Sequence, residues 1–506
     1  MPINLLSPDL FQNRTLSPEE ADFLIGSLST DTVIDQAIIS GFVTGELPQA
    51  LSLPGGPIGV VLGGEWREDS INTQGDSVFT LGLAAGRNSD LGAQGTTSQW
   101  ELFGEVGLPI LKDLPFAQEL TVTGSGRFID NEFFGQTGVW SVTGRYRPTD
   151  WLLFRGTAGT SFRAPDTNLL FLGGQSGFAG GGLNPCNTPA GDDGRSQIVL
   201  DNCTSLGIDP LNFFQAAGFE TFTTGTFANG DGAPSLDPER SDNFTAGFVL
   251  SNPWDDIVGA DISFSWFSIE IEDGIQFPGA GAVVANCFNQ PAFNSPFCAN
   301  ITFSDSIPGF IETLNTTPLN LDEESIEGID LSLRLNKEIS LFGSSPIRLF
   351  ANLAGTRILT NEIVSDDGLG NLTTNFENGE FGDPRWRGTL QASANWEQFT
   401  FSYNAQYASG TTVSVDPVAD GGPFIPGQEA DNGIDVFNIP SRVIHNFSFI
   451  ANVQDDLRLS FGIRNAFNRQ PDRVDSAFDS LGNVVLGTPV TDILGRRFTV
   501  GFVKEF

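Results

Sequence analysis

The chain has 506 residues, including 59 Gly and 44 Phe, with 39% hydrophobic residues and a mean hydropathy of −0.05. That composition is too apolar for a disordered chain, and no apolar run approaches the 18 to 20 residues that a membrane helix needs. The balance of 62 acidic against 25 basic residues, only three of them Lys, gives a net charge of −37 and excludes nucleic acid as a partner.

Residues 1–32 read as the tail of a loop with a short helix. Ser17 is the expected cap and Pro18 the first helical residue. Met1 is followed by neither a basic region nor an apolar leader, so an exported protein with this sequence would have its true amino terminus elsewhere.

From residue 33 onward, apolar and polar side chains alternate with a period of two, the signature of half-buried strands. Leu152, Phe154, Gly156, Ala158, Thr160 and Phe162 share one face, and Arg155, Thr157, Gly159, Ser161 and Arg163 the other. About fifteen strands are expected. The first eight lie at 33–46, 57–69, 98–110, 117–130, 136–148, 150–163, 239–252 and 256–272. The rest lie at 324–338, 345–358, 383–396, 398–411, 441–452, 456–466 and 494–506. Strands of 10 to 14 residues are long for a soluble sheet and match the 9 to 11 tilted residues that cross a bilayer. Within 256–272 the apolar set changes parity at Trp266-Phe267, which predicts a β-bulge there or the level at which the strand leaves the membrane.

Short turns and long Gly/Asn/Asp-rich segments alternate between these strands, and the one short link at the long-loop end is 131–135. A meander with turns at one end and loops at the other is how outer-membrane barrels are built. Glu65, Arg67, Asp69, Arg155 and Arg163 lie on the polar faces, where a barrel's lumen is expected. Four cysteines, Cys186, Cys203, Cys287 and Cys298, fall in two long loops as two local pairs; disulfides are expected, although four cysteines allow three connectivities. No CxxC unit is present and His445 is the single histidine, so neither a zinc site nor His-based catalysis is expected, and nothing points to an enzyme or a cofactor.

The segment Ser161-Phe-Arg-Ala-Pro-Asp166 with Leu169-Leu-Phe171 resembles the "sFRAP…eLF" signature of TonB-dependent receptor barrels. Leu236-Asp-Pro-Glu-Arg-Ser-Asp-Asn-Phe-Thr-Ala-Gly247, Ile269-Glu-Ile-Glu-Asp-Gly-Ile275, Gly462-Ile-Arg-Asn-Ala-Phe-Asn468 and Asp492-Ile-Leu-Gly-Arg-Arg-Phe498 are similar to later family segments and follow in the family's order. Phe498, Val500, Phe502 and Phe506 alternate on the last strand, which resembles the signal read by the barrel-assembly machinery. Lys504 interrupts that face at a level where a Lys can snorkel.

The resemblance implies a transmembrane antiparallel β-barrel of 22 strands in the outer membrane of a Gram-negative bacterium, in contact with lipid and lipopolysaccharide. About fifteen of those strands are expected in 33–506. The plug domain and the box that engages the TonB complex have no counterpart, so the chain reads as a fragment. The implied function is energised uptake of a scarce nutrient such as a siderophore, vitamin or oligosaccharide. Its capture is expected in the loops 164–238 and 273–322, where Phe213, Phe214, Phe219, Phe222 and Phe288 are the aromatic candidates. The alternatives are a passive porin-like channel and a secreted β-rich adhesin.

Overall fold

The computed structural model describes residues 17–18, 27–83, 89–180, 183–187, 195–209, 221–226, 236–253, 258–305, 307–340, 345–366, 372–380, 382–412, 438–454, 456–471 and 492–505. Apart from its first two residues, the helix expected from Ser17 lies outside them, as does Phe506.

One antiparallel sheet dominates. Its path runs through fifteen strands in chain order: β1 (Thr30–Glu46), β2 (Gly59–Gly75), β3 (Ala93–Leu114), β4 (Ala117–Asn131), β5 (Gly135–Thr149) and β6 (Leu152–Arg163) come first. Two short strands, β7 (Gln175–Gly180) and β8 (Thr221–Thr226), stand outside it, and β9 (Glu239–Ser251) and β10 (Gly259–Gln276) continue it. After β11 (Ile301–Phe303) and β12 (Ile311–Thr316), again outside, follow β13 (Leu319–Ile339) and β14 (Ile347–Asp366), which also carries the hairpin strand β15 (Leu372–Phe376). The path then takes β16 (Trp386–Trp396) and β17 (Phe399–Ala408), passes the small pair β18 (Thr411–Thr412) and β19 (Asn438–Ile439), and ends with β20 (Arg442–Gln454), β21 (Leu457–Arg464) and β22 (Arg497–Lys504). Each of the fifteen path strands overlaps one of the fifteen expected ranges. The sheet is open: among the described residues, β1 pairs with β2 alone and β22 with β21 alone.

Alternation sets the two faces. Leu62, Trp66, Trp100, Leu102, Val142, Phe154, Leu331, Leu353 and Val500 are exposed on one face, an arrangement that only an apolar solvent tolerates at this density. Trp66 and Trp100 stand directly opposite each other, and beyond that level the same face turns polar, with Glu68 and Ser70 on one strand and Ser98 and Thr96 on the other. Trp266 marks the same change on β10, followed by Ser268 and Glu270. At the short-turn end, Tyr146 stacks on Phe154 and Phe248 on Phe264, with ring centroids 6.3 and 5.6 Å apart. Aromatic bands at both limits are what an outer-membrane barrel places at the two lipid–water boundaries.

The bulge expected at Trp266-Phe267 is not there. Pairing of β10 with β9 runs unbroken from Asp261 to Glu272, and the slip in β10 comes at Ile271–Ile275, against β13. The alternative expectation fits: above Trp266 the outward residues meet water, while Phe267, Ile269 and Ile271 turn to the opposite face. Phe267 there lies over Gly328, where any Cβ would collide with its ring. The Lys504 ammonium pairs with Asp456 in the turn beside it.

The best-packed region lies outside the sheet. The loops between β6 and β9 and between β10 and β13 fold into one body, a four-stranded sheet in the order β11-β12-β8-β7 in which β12 and β8 are parallel. Among the described residues, four short α-helices accompany the strands: α1 (Ser77–Thr80), α2 (Thr167–Phe171), α3 (Gln197–Ser205) and α4 (Ala280–Phe288). Val199 and Cys203 of α3, Val283, Val284, Cys287 and Phe288 of α4, and Ile311 and Leu314 of β12 form a common core. Cys186–Cys203 and Cys287–Cys298 are the disulfides, one within each loop, with Cα atoms 5.6 and 4.8 Å apart. Asn202, itself buried, ties the loops together: its amide donates to the carbonyls of Phe288 (2.9 Å) and Gln290 (2.8 Å).

Candidate functional site: the polar mouth beneath the loops

Two of the family-like segments meet at the long-loop end of the sheet. Arg163, the last residue of β6, is paired in register with Glu239, the first of β9. The guanidinium donates through Nη2 to Glu239 Oε1 at 2.6 Å and through Nε to Oε2, a bidentate fork. Glu239 is buried and also accepts from the Ile275 backbone amide at 2.9 Å, so this one carboxylate locks the ends of β6, β9 and β10. The Glu239 carboxylate holds the Arg163 guanidinium above its usual range, where it stays charged at every accessible pH.

Around this pair lies a cavity of about 360 Å³, lined by Phe162, Ile275, Ile363, Arg240, Asp322 and Glu324 among others. Asp322 is buried, and its Oδ1 makes no hydrogen bond. Burial first and the neighbouring Glu324 charge second push its carboxyl up, against a hydrogen bond from Ser365. Glu377, on the far side of Glu324, is likewise pushed up by burial and by Asp383, Glu324 and Glu380. The cavity thus combines apolar walls with three acids and two arginines, one arginine already committed to Glu239.

The mouth is crossed by the first turn of the loop after β6. Asp166 caps α2 by accepting from the Asn168 amide at 2.7 Å. Because the link between β4 and β5 is only three residues long, α2 passes over it, and Phe171 packs edge-on to Phe133 at 5.2 Å. Phe171 ends against Gly95 of β3, where the ring fills the space a side chain would take. Leu172 then joins Ile71, Ala93 and Leu236, with Ile275 packed alongside, in a second small core.

The other expected polar-face residues serve the wall. Arg67 pairs with Glu65 at 3.4 Å, and Arg127 with buried Glu101 at 2.5 Å. Arg155 reaches across Gly247 to the Ser265 hydroxyl at 3.0 Å, and only Gly leaves that passage open, since any Cβ would collide with β10. His445 shares a hydrogen bond with the Tyr403 hydroxyl at 2.8 Å and packs edge-on against Phe467. Phe288 is fully buried between Phe293 and Phe303, so it holds the loop body together and offers no face to a ligand. Phe222 lies on β8, and Phe213, Phe214 and Phe219 fall outside the described residues. Sequence reasoning passed over Asp322 and Glu324. Glu239 lay within a family-like segment, but its pairing with Arg163 spans 76 residues and leaves no local signal.

A family profile described as "TonB dependent receptor-like, beta-barrel" matches residues 10–466. The chain belongs to the TonB-dependent receptor barrel family. Its fold is similar to that of the ferric enterobactin receptor PfeA of Pseudomonas aeruginosa, solved as a point mutant in complex with enterobactin. The TM-score is 0.57 at 14% identity, over 94% of this chain and 55% of that one. It is also similar to the siderophore receptor PirA of Acinetobacter baumannii, with a TM-score of 0.54, 15% identity and coverage of 94% and 55%. The third is the hemophore receptor HasR of Serratia marcescens, solved with its hemophore and heme, with a TM-score of 0.54, 14% identity and coverage of 95% and 60%. This chain therefore spans little more than half the length of these receptors. No curated protein sequence matches it. Barrels of this family reside in the outer membrane of Gram-negative bacteria. Among the described residues no helix is long and apolar enough to cross a membrane.

Proposed function

We propose that the chain supplies the wall and the loop cap of an active outer-membrane transporter that captures a scarce nutrient and imports it with energy from the TonB complex. The observation that carries this reading is the loop body: two loops far apart in sequence share one core, are stapled internally, and stand over a polar mouth with its own cavity. A passive channel gains nothing from such a cap, whereas a receptor gains a preorganised surface that loses little entropy on binding. The remaining strands, the plug and the TonB-contacting box complete the machine in the intact receptor, and β22, through Phe498, Val500 and Phe502, together with Phe506 beyond it in the sequence, is the segment offered to the assembly machinery.

Electrostatics narrow the cargo. A chain with net charge −37 and a mouth with more acids than arginines attracts cationic molecules, admits neutral ones without penalty and repels polyanionic chelates. Siderophores and heme, named for the structural neighbours, are the first compounds to test, with vitamins and oligosaccharides as the neutral alternatives. Phe213, Phe214, Phe219 and Phe222 remain the loop aromatics proposed to touch the cargo. The test is uptake of radiolabelled ferric siderophores of differing charge, heme, a corrinoid and an oligosaccharide by cells with and without the gene. Loss of uptake of one compound, also abolished by a proton uncoupler, supports the reading; uptake that survives the uncoupler points to a passive channel.

A further inference from the structure

Along the inner face of the wall, carboxylates are paired with arginines: Glu65 with Arg67, Glu101 with Arg127, Glu119 with Arg145 and Arg147, and Glu239 with Arg163. Two acids of the mouth cavity break that rule. Asp322 and Glu324 stand two residues apart on the same face of β13, and among the described residues neither forms a salt bridge. Their neighbours across the ladders are uncharged. Glu324 lies between Ile271 of β10 and Ile363 of β14, and Asp322 between Gly274 and Ser365.

Asp322 is only 6% exposed; Ser365 bonds its carboxylate, and Oδ1 has no partner. At Gly274 a Cβ would press on Asp322 at 3.0 Å, so glycine there leaves the space beside the carboxylate to the cavity. The nearby cations are engaged or turned away. Arg163 is forked on Glu239, and Arg240 follows at the opposite parity, so its side chain leaves β9 from the other face.

A carboxylate packed among isoleucines without a counter-charge is costly, and a cation arriving from outside removes that cost. A divalent metal ion fits poorly. Such ions take about six to eight oxygen ligands, and among the described residues no three acids converge at metal-ligand spacing. An ammonium suits the place: it is a compact charge with three donors, and a carbon stem behind it can lie along Ile271, Ile275 and Ile363.

We propose that the cavity seats a primary ammonium group carried on an apolar stem, with the charge on Asp322 and Glu324 and the stem on the three isoleucines. The inference rests on the receptor reading, in which the mouth lies on the cargo's way in, and it narrows that cargo to amines.

The test uses the chain purified in mild detergent, with n-butylammonium chloride as the probe and saturation-transfer NMR as the readout. Saturable binding is expected, with n-butanol and sodium butyrate each weaker by about tenfold or more. Asp322→Asn and Glu324→Gln keep the shape and remove the charge, and each is expected to weaken the ammonium by a similar factor. Heat-modifiable gel mobility of each protein shows whether the sheet is intact; should Asp322→Asn lose it, Glu324→Gln, at a half-buried position, decides alone. n-Butanol binding as tightly as the ammonium, or unchanged affinity in the variants, overturns the seat. The receptor reading fails separately. Ammonium binding that depends on both acids, without uncoupler-sensitive uptake of any amine, leaves the seat standing and overturns import. Uncoupler-sensitive uptake by a protein that binds no ammonium leaves the receptor standing and overturns the seat.

Discussion

Arg163 and Glu239 show how much one side-chain pair can organise. Glu239 is buried with three bonds to it, while most of the Arg163 side chain is exposed, so removing the arginine is the informative cut. Arg163→Ala leaves a buried carboxylate with one amide partner, and a loss of about 1–3 kcal/mol is expected, with solvent access to the arginine keeping it at the low end. The shift of the unfolding midpoint in urea, read by gel mobility, checks it. Asp322 makes a prediction of opposite character. Burial raises its folded-state pKa above the unfolded value, so the protonated form is the one the fold prefers. The associated stability is complete below the unfolded value of about 4 and is lost as pH rises through the elevated folded pKa. Asp322→Asn is therefore expected to slow proteolysis at the start of β13 and the end of β14, where Asp322 faces Ser365, at pH 7 and to remove its pH dependence; equal cleavage of both proteins from pH 4 to 8 would show that Asp322 carries no such charge. At Gly95, substitution by Leu drives a side chain into the Phe171 ring, and overpacking of this kind costs about 1–3 kcal/mol. Faster cleavage between residues 164 and 180 is the readout.

At the scale of elements, the sheet and the loop body separate energetically. Each disulfide closes a short segment, 17 and 11 residues apart in sequence, and a loop of that size contributes about 3 kcal/mol by chain-entropy arguments. Reduction, or Cys186→Ser with Cys203→Ser, is expected to expose the loops to protease while leaving the heat-modifiable mobility of the sheet unchanged. Coupled loss of both would show that the body and the wall fold as one unit. The fifteen path strands were legible because a membrane strand writes its burial into every second residue. The loop body was not. Its strands β8 and β12 pair in parallel across 90 residues, and burial inside it depends on contacts between two loops, not on local period. One element did leave a trace: Val283, Val284, Cys287 and Phe288 recur at helical spacing in Ala280–Phe288, and that pattern marks α4. The phase change at Trp266 was visible in sequence but had two meanings, and only the unbroken β9–β10 register chose between them.

Across the whole molecule, a one-sided apolar surface and an unbalanced charge govern behaviour. The outward Leu, Val, Phe and Trp side chains require detergent or lipid, and heat-modifiable mobility is expected to follow. Net charge −37 makes self-repulsion a standing cost, relieved by screening. The midpoint of thermal unfolding is expected to climb as NaCl rises from about 10 mM to 500 mM, over which the Debye length falls from about 30 Å to under 8 Å. A midpoint independent of salt would mean that the acids are neutralised in pairs or by bound ions.

Leu172, Leu236 and Ile275 meet Ile71 and Ala93 in one small cluster, and the first three residues are the entry of one long loop, its exit, and the entry of the other. Three of the cap's four roots therefore share one foot. Two loops with separate roots would open like shutters, each with its own rate; loops that share a foot and a core swing like one door. Stopped-flow fluorescence from a dye on either loop should report the same single-exponential closing, and loosening the foot at Leu172 should change both dyes' rates together.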